Sequence, residues 1–242
     1  MIHVGTSGWQ YRDWRGVLYE EGLSQERWLE RYAENFSVVE VNNSFYRLPE
    51  RATFQKWRRR TPQGFMFVVK ASRYLTHLKR LRDAEEGVRL FWERATGLGD
   101  KLGPVLFQLP PRFPADVPRL REFLSWLPAG MRAAFEFRDG SWVSDEVLGV
   151  LDDAGCAFVL ADRPGFRGPL LVTGGWSYVR FHQGSRFGSD YRRDKLRRWA
   201  DRIGTLPARD VWAFFNNDHG GAAVRDARFL RDALAGARAR VA

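Results

Sequence analysis

Short apolar runs that each end in a polar residue recur along the chain, and they constrain its fold more than any other feature. These runs occupy residues 38–42, 67–70, 105–108, 133–138, 158–162, 178–182 and 212–217, and a further strand-like run opens the chain at residues 1–5. Runs of this length between helical segments are typical of buried parallel strands. Eight such strands alternating with helices predict a parallel sheet with right-handed crossovers.

Apolar residues at helical spacing separate most of these strands. The first helical segment follows Ser24, a good N-cap residue, and Gly155 stands where the fifth helix is expected to end. Residues 163–177 are rich in glycine and proline, so we expect the helix between strands six and seven to be missing or reduced.

The number of strands decides between two architectures, an open doubly wound sheet and a closed barrel. Dividing 242 residues among eight units gives roughly thirty residues each, the length of one βα repeat. Polar ends on nearly every strand make sense if all of them face a common mouth. We therefore predict a single domain, residues 1–242, folded as a TIM-type (β/α)8 barrel.

Composition narrows the class of protein further. A formal net charge of +10 and a pI near 10.2 permit binding to nucleic acid or acidic metabolites, but arginine-rich solvated helix faces are the favoured explanation of the charge. The single cysteine, Cys156, excludes a disulfide framework and is expected to be a buried thiol. The N-terminal sequence resembles no signal peptide and no apolar run has the length of a membrane span, so we expect a cytoplasmic protein without membrane partners.

The fifth strand carries charge on one of its faces. With a period of two, Glu136 and Arg138 share a side with Ala134, while Phe135 and Phe137 share the other. A charge at the end of a buried strand is costly unless it is paired or bound. These side chains are therefore expected either to form salt bridges or to hold a ligand.

Six motifs resemble those of a known family, the YecE-like proteins or domain of unknown function seventy-two. The motifs are GTSGW at residues 5–9, VEVNNSFYRLP at 39–49, KASRYLTH at 70–77, GPVLFQLPP at 103–111, FEFRDGSW at 135–142 and FNNDHG at 215–220. They span nearly the whole chain in the family's order. The resemblance implies a TIM-type barrel and no particular reaction.

Polar strand ends and nearby loops supply the candidate site residues. Lys70, Arg138 and Arg180 are predicted to hold an anionic group, and Glu136 and Glu40 to transfer protons as general acid and base. The other predicted substrate-binding residues are Asn42, Tyr46, Gln108, Trp142, Asp162, His182, Asn217 and Trp9. Trp9, Tyr46 and Trp142 are predicted to stack on the substrate, whereas the remaining loop aromatics are expected to pack. We thus predict an enzyme acting on a phosphate-bearing sugar or nucleotide, with the reaction type open.

Other interpretations remain open at this point. The cations and carboxylates could neutralise one another in a ring of salt bridges with no ligand. The chain could be a non-catalytic nucleic-acid-binding protein or a metal-dependent nuclease. His77, His182 and His219 could reach the mouth, but no metal-binding spacing supports a centre, so no metal and no cofactor are predicted. The oligomeric state is left open.

Overall fold

Eight parallel strands form the centre of the fold. A computed structural model describes residues 1–163, 170–182 and 190–239. The strands pair in chain order and β8 pairs with β1, which closes the barrel and confirms the predicted TIM-type (β/α)8 fold. The strands are β1 (Ile2–Ser7), β2 (Val38–Val41), β3 (Met66–Lys70), β4 (Leu102–Gln108), β5 (Ala133–Glu136), β6 (Ala157–Asp162), β7 (Ser177–Phe181) and β8 (Val211–Phe215).

Eight α-helices accompany the strands in the described residues. They are α1 (Trp28–Ala33), α2 (Asn43–Tyr46), α3 (Arg51–Arg59), α4 (Glu85–Ala95), α5 (Val117–Ser125), α6 (Asp145–Asp153), α7 (Arg193–Thr205) and α8 (Ala222–Ala239). Short α2 follows β2, and a π-helical turn at Tyr74–Leu78 follows β3. Residues 170–176 contain no helix, and the rest of the connection for which a missing helix was predicted, residues 164–169, lies outside the described residues.

Local capping explains where several helices begin and end. Ser24 accepts a hydrogen bond from the Glu26 amide at the start of the 3₁₀ turn that leads into α1, and Asp116 and Ser144 cap α5 and α6 in the same manner. After α6, Gly155 adopts φ +65°, a left-handed conformation that favours glycine. The predicted cap positions of Ser24 and Gly155 are both confirmed.

Contacts between residues group the chain into two compact units. The first comprises Met1–Glu40, Leu160–Val172 and Trp176–Ala242, and it contains all of β1, β7 and β8. The second comprises Val41–Val159 and Thr173–Gly175, and it contains β3, β4 and β5. Buried aromatic rings fill each unit, among them Trp28 and Tyr32 in the first and Phe107 and Phe135 in the second. A single domain over residues 1–242 stays a prediction.

Of the helices in the described ranges, none is both long and apolar enough to cross a membrane.

Candidate functional site

A buried ion pair joins two of the predicted site residues in the first unit. Glu40 lies on β2 and Arg180 on β7, which are separated in the sheet by β1 and β8. Arg180 Nη2 lies 2.7 Å from Glu40 Oε1, and Arg180 Nε lies 3.0 Å from Glu40 Oε2. Side chains on strands that are not neighbours meet only on the inner side of a barrel. This bidentate pair therefore belongs to the barrel interior.

Further hydrogen bonds complete the environment of Glu40. Tyr178 donates to Glu40 Oε2 at 2.5 Å, and Ser7, whose register partner is Glu40, also donates to the carboxylate. Burial alone raises the pKa of Glu40, but the Arg180 charge and the hydrogen bonds outweigh burial and hold this pKa below its usual value. We call Ser7, Glu40, Tyr178 and Arg180 the Glu40 group.

This geometry argues against the roles predicted for two residues of the Glu40 group. Glu40 is fully buried and its oxygens accept several hydrogen bonds, so it is poorly placed to exchange protons with a substrate. Arg180 is 1% exposed and its guanidinium is bound to Glu40, so it cannot grip an outside anion without breaking the pair. Both side chains are better suited to hold the strands β2 and β7 together.

A second carboxyl group lies next to the Glu40 group. Asp218, three residues beyond the end of β8, is half-buried and hydrogen-bonds to Tyr11, while the Trp14 indole nitrogen donates to its backbone oxygen at 2.9 Å. Burial raises the pKa of Asp218 to about 7, and the nearby charges of Glu40 and Asp13 add to this increase. Asp218 can therefore carry a proton near neutral pH.

The position of Tyr11 depends on a glycine. Gly8 adopts φ +104°, and a Cβ at this position would lie 2.9 Å from Tyr11 Oη, so a larger residue would displace the ring. Tyr11 Oη donates to the Ser7 carbonyl at 2.6 Å. Because its single hydrogen is used in this bond, the Tyr11 oxygen can accept a hydrogen bond from a protonated Asp218.

A different set of cations lies in the second unit. Lys70, the last residue of β3, places its Nζ 4.3 Å from the centre of the Phe45 ring and donates to Gln108 Oε1 at 2.9 Å. The Phe45 ring in turn meets the His77 imidazole edge-on at 4.9 Å between centroids. Phe45 thus contacts both Lys70, which is hydrogen-bonded to Gln108, and His77 in the π-helical turn after β3.

Arg138 forms the other part of this set. Its Nε lies 2.7 Å from Oε1 of Glu136, the last residue of β5, and Glu136 is fully buried while the Arg138 side chain is 23% exposed. Gln108 and Glu136 are register partners on β4 and β5. Pairing of Glu40 with Arg180 and of Glu136 with Arg138 is what the salt-bridge interpretation of the sequence predicted for these carboxylates.

The pKa of His77 depends on its burial and on the charges around it. Burial lowers the pKa of His77, and Lys70, Arg73, Arg138 and Arg80 each lower it further. The Thr76 hydroxyl lies 2.9 Å from His77 Nδ1 and fixes the orientation of the ring. We call Lys70, Arg73, His77 and Arg138 the His77 group.

Three of the predicted substrate-binding residues contact surrounding helices or the backbone. Asp162, at the end of β6, accepts hydrogen bonds from Lys195 and from the Trp199 indole, both on α7. The His182 amide donates to the Asp162 carbonyl at 3.0 Å, and Asn217 Nδ2 donates to the buried Asp226 carboxylate at 2.8 Å. These contacts secure α7 and α8 against the strands. Binding roles for Asp162, His182 and Asn217 stay predictions.

Two of the three aromatic residues predicted to stack on a substrate are buried. Trp142 is fully buried, stacks on Phe137 at 4.6 Å and donates from its indole nitrogen to the Phe113 carbonyl at 2.6 Å. Trp9 is 4% exposed. Because a buried ring has no free face, Trp9 and Trp142 serve packing in this structure. Tyr46, by contrast, is 76% exposed.

The remaining predicted residue, Asn42, lies half-buried directly between β2 and α2.

Within residues 1–163, 170–182 and 190–239, no group of three or more His, Cys, Asp or Glu side chains could hold a metal ion.

Sequence reasoning did not select Tyr11, His77 or Asp218 as acid–base residues. In the sequence, His77 is a candidate metal ligand only, and Tyr11 is one of the loop aromatics that are expected to pack. The signal that could have identified them is their position. Each residue lies a few positions after the end of a strand, and the active sites of TIM barrels lie at the C-terminal ends of the strands.

Eight parallel strands in a closed barrel, with charged side chains at or just beyond the strand ends, define the molecule as a TIM-type β/α-barrel protein. A family profile described as "Protein of unknown function DUF72" matches residues 3–242, and the chain belongs to this family. The resemblance to YecE-like proteins noted from the motifs is thereby confirmed.

Several proteins are similar to this chain in sequence or in fold. UPF0759 protein YunF of Bacillus subtilis is 27% identical over 97% of this chain and 95% of its own length. UPF0759 protein YecE of Escherichia coli is 32% identical over 57% of this chain and 48% of its own length. A crystal structure of a DUF72 family protein from Thermotoga maritima has a TM-score of 0.88 at 29% identity and covers 97% of this chain and 99% of its own. A DUF72 family protein from Enterococcus faecalis, at 21% identity and a TM-score of 0.84 over 97% of this chain and 96% of its own, has the same fold.

Proposed function

We propose that the protein is an enzyme that acts on a small anionic substrate, a phosphate-bearing sugar or nucleotide, at the His77 group. The observation that carries the proposal is the cluster of cations around one imidazole. Lys70 and His77 contact the same Phe45 ring, and the pKa of His77 is lowered first by burial and then by Lys70, Arg73, Arg138 and Arg80. Cations gathered around a half-buried group favour the binding of an anion, and arginine can bind phosphate or carboxylate through two hydrogen bonds.

Each residue of the His77 group has a distinct task in this proposal. Lys70 and Arg138 hold the anionic group of the substrate, as the sequence predicted, with Arg73 adding to the field. Glu136 keeps Arg138 oriented through the ion pair at 2.7 Å. His77 exchanges a proton with the substrate, because an imidazole with a lowered pKa is neutral at pH 7 and can act as a base.

The test combines ligand binding with turnover. A panel of sugar phosphates and nucleotides is first screened for compounds that raise the melting temperature, and hits are followed by NMR for conversion. In Arg138→Gln we expect at least tenfold weaker binding, since a charge-assisted contact is lost. His77→Gln is expected to keep binding and to lose turnover by about 10²–10⁴.

Arg121→Gln is the matched control, because Arg121 is an exposed residue of α5 and the variant removes the same charge. The proposal is overturned if no compound of the panel binds, or if His77→Gln turns substrate over as fast as the unchanged protein.

The alternative of a non-catalytic nucleic-acid-binding protein makes a different prediction in the same experiment. Oligonucleotide affinity would fall steeply with salt and would survive both His77→Gln and Glu136→Gln. An enzyme of the proposed kind loses turnover in these variants.

A further inference from the structure

A cavity of ≈ 570 Å³ opens beside the segment that follows the π-helical turn. It lies between this segment and the residues that lead into α5, all within the second unit. Sites for small molecules commonly have volumes of about 300–1,000 Å³. Its charged lining residues are Lys79, Arg80, Arg82, Arg119, Asp83 and Asp116. We call it the basic cavity.

The charges of the basic cavity are only partly neutralised. Arg119 Nη2 lies 2.6 Å from Asp116 Oδ2. Across the described ranges, by contrast, Lys79, Arg80 and Arg82 form no salt bridge. This differs from the Arg180 guanidinium, whose charge is matched by a buried carboxylate. The cavity therefore presents an excess of positive charge to solvent.

An aromatic ring positions two of these cations. Phe113 is buried, and the guanidinium carbons of Arg80 and Arg119 lie 5.7 Å and 5.4 Å from its ring centre. Such cation–π contacts hold each guanidinium against the ring and limit its rotamers. Two arginines from different segments are thereby oriented before any ligand arrives.

The backbone of the cavity wall is strained. Arg80, Leu81 and Asp83 have φ values of 48°, 69° and 42°, in the left-handed region that non-glycine residues rarely adopt. Leu81 is fully buried, and its amide donates to the Leu75 carbonyl at 3.0 Å. The buried leucine holds the turn in place, so that Arg80 and Arg82 line the cavity on either side of it.

We propose that the basic cavity binds a small polyanion that carries two or more phosphate groups, such as a diphosphate ester. The lining carries four cations and two carboxylates, so several separate cations can each contact a phosphate group of one ligand, and oriented guanidinium groups suit phosphate oxygens. The site goes beyond the proposed function. Arg80 lines the basic cavity and also contributes to the charge around His77, but Lys79, Arg82 and Arg119 are not part of the His77 group.

Isothermal titration with inorganic pyrophosphate, in a low-salt buffer containing a chelator, tests the proposal. Pyrophosphate is expected to bind at least tenfold more tightly than inorganic phosphate. The double variant Lys79→Gln, Arg82→Gln removes two charges from the wall, and we expect at least a tenfold loss of pyrophosphate affinity. Arg121→Gln removes an exposed charge of α5 that does not line the cavity, and it is expected to bind as the unchanged protein does.

Circular dichroism and the melting temperature confirm that each variant is folded. No binding of pyrophosphate, or equal binding by the folded double variant, overturns the proposal. Arg138→Gln separates the basic cavity from the His77 group, since it is expected to retain pyrophosphate affinity. If only Arg138→Gln loses pyrophosphate affinity, the ligand binds at the His77 group and the proposal for the basic cavity is overturned.

A single-stranded oligonucleotide supplies the remaining comparison. Binding that strengthens with oligonucleotide length and weakens in Arg121→Gln would show a broad nucleic-acid surface and overturn the small-ligand site. Pyrophosphate binding that is unaffected by Arg121→Gln supports it.

Discussion

Arg180 and Glu40 lie 140 residues apart in sequence and form a bidentate ion pair in which their side chains are 1% and 0% exposed. Tyr178, two residues before Arg180 on the same face of β7, donates to the same carboxylate. The pair thus ties β2 to β7 inside the first unit, where water cannot replace either partner.

Removing one partner of this pair leaves a buried charge. We expect Arg180→Met to lower the free energy of unfolding by about 3–5 kcal/mol, because the Glu40 carboxylate stays in the interior without its counter-charge. Urea denaturation measures the change. Arg198→Met breaks an exposed pair with Asp194 and is expected to change stability by no more than about 1 kcal/mol. Equal effects of the two variants would contradict the structural role of Arg180.

Asp218 is expected to make stability depend on pH. Its pKa is raised from 3.8 to about 7 in the folded protein, first by burial, so the folded state keeps a proton that the unfolded chain has already released. The free energy of unfolding should therefore fall as the pH rises from about 4 to about 7, by at most about 1.4 kcal/mol per pH unit, and this contribution should be constant above that range.

Urea denaturation at a series of pH values measures this slope. Asp218→Asn is expected to remove the contribution, whereas Asp153→Asn changes an exposed residue of α6 and should retain it. An unchanged pH profile in Asp218→Asn would show that the raised pKa belongs to another group.

His77 is expected to titrate below its ordinary pKa of 6.5, because burial and four neighbouring cations disfavour the imidazolium. The folded protein then binds this proton less tightly than the unfolded chain, so the stability from His77 is lost as the pH falls below 6.5. An NMR titration of the imidazole resonances should show a higher pKa in Arg138→Gln and no change in Arg121→Gln. If the pKa of His77 is the same in Arg138→Gln as in the unchanged protein, the claim that neighbouring cations lower this pKa is contradicted.

Cys156 is expected to be inert in the folded protein. It is 3% exposed, and burial raises the pKa of its thiol to about 12, so almost no thiolate exists at neutral pH. A chromogenic disulfide reagent should react with this thiol only as fast as the protein unfolds, and rapidly in urea. Fast stoichiometric labelling of the native protein would contradict this assignment.

The architecture could be predicted from the sequence because the signals that specify it are local. Runs such as residues 105–108 are buried strands irrespective of which strand they pair with, and Ser24 and Gly155 act on backbone groups within a few residues. The positions of α2 and the π-helical turn were missed, because segments of four or five residues show no helical period.

The candidate site could be predicted from the sequence only in part. Lys70, Gln108, Glu136 and Arg138 were selected from the strand ends, and the structure pairs Lys70 with Gln108 and Glu136 with Arg138. The loop residue Trp142 was selected for exposure that it does not have, since its burial depends on Phe113 and Phe137, which approach it only in the folded chain.

The sequence by itself determined the succession of strands and helices and hence the barrel, and it identified the polar residues at the strand ends. Only the tertiary structure decided which charges neutralise each other, as in Glu40 with Arg180, and which groups have shifted pKa values, as in His77 and Asp218. The physical reason is that Coulomb and desolvation energies depend on distances and burial among residues that are remote in sequence, whereas strand and helix signals act between near neighbours.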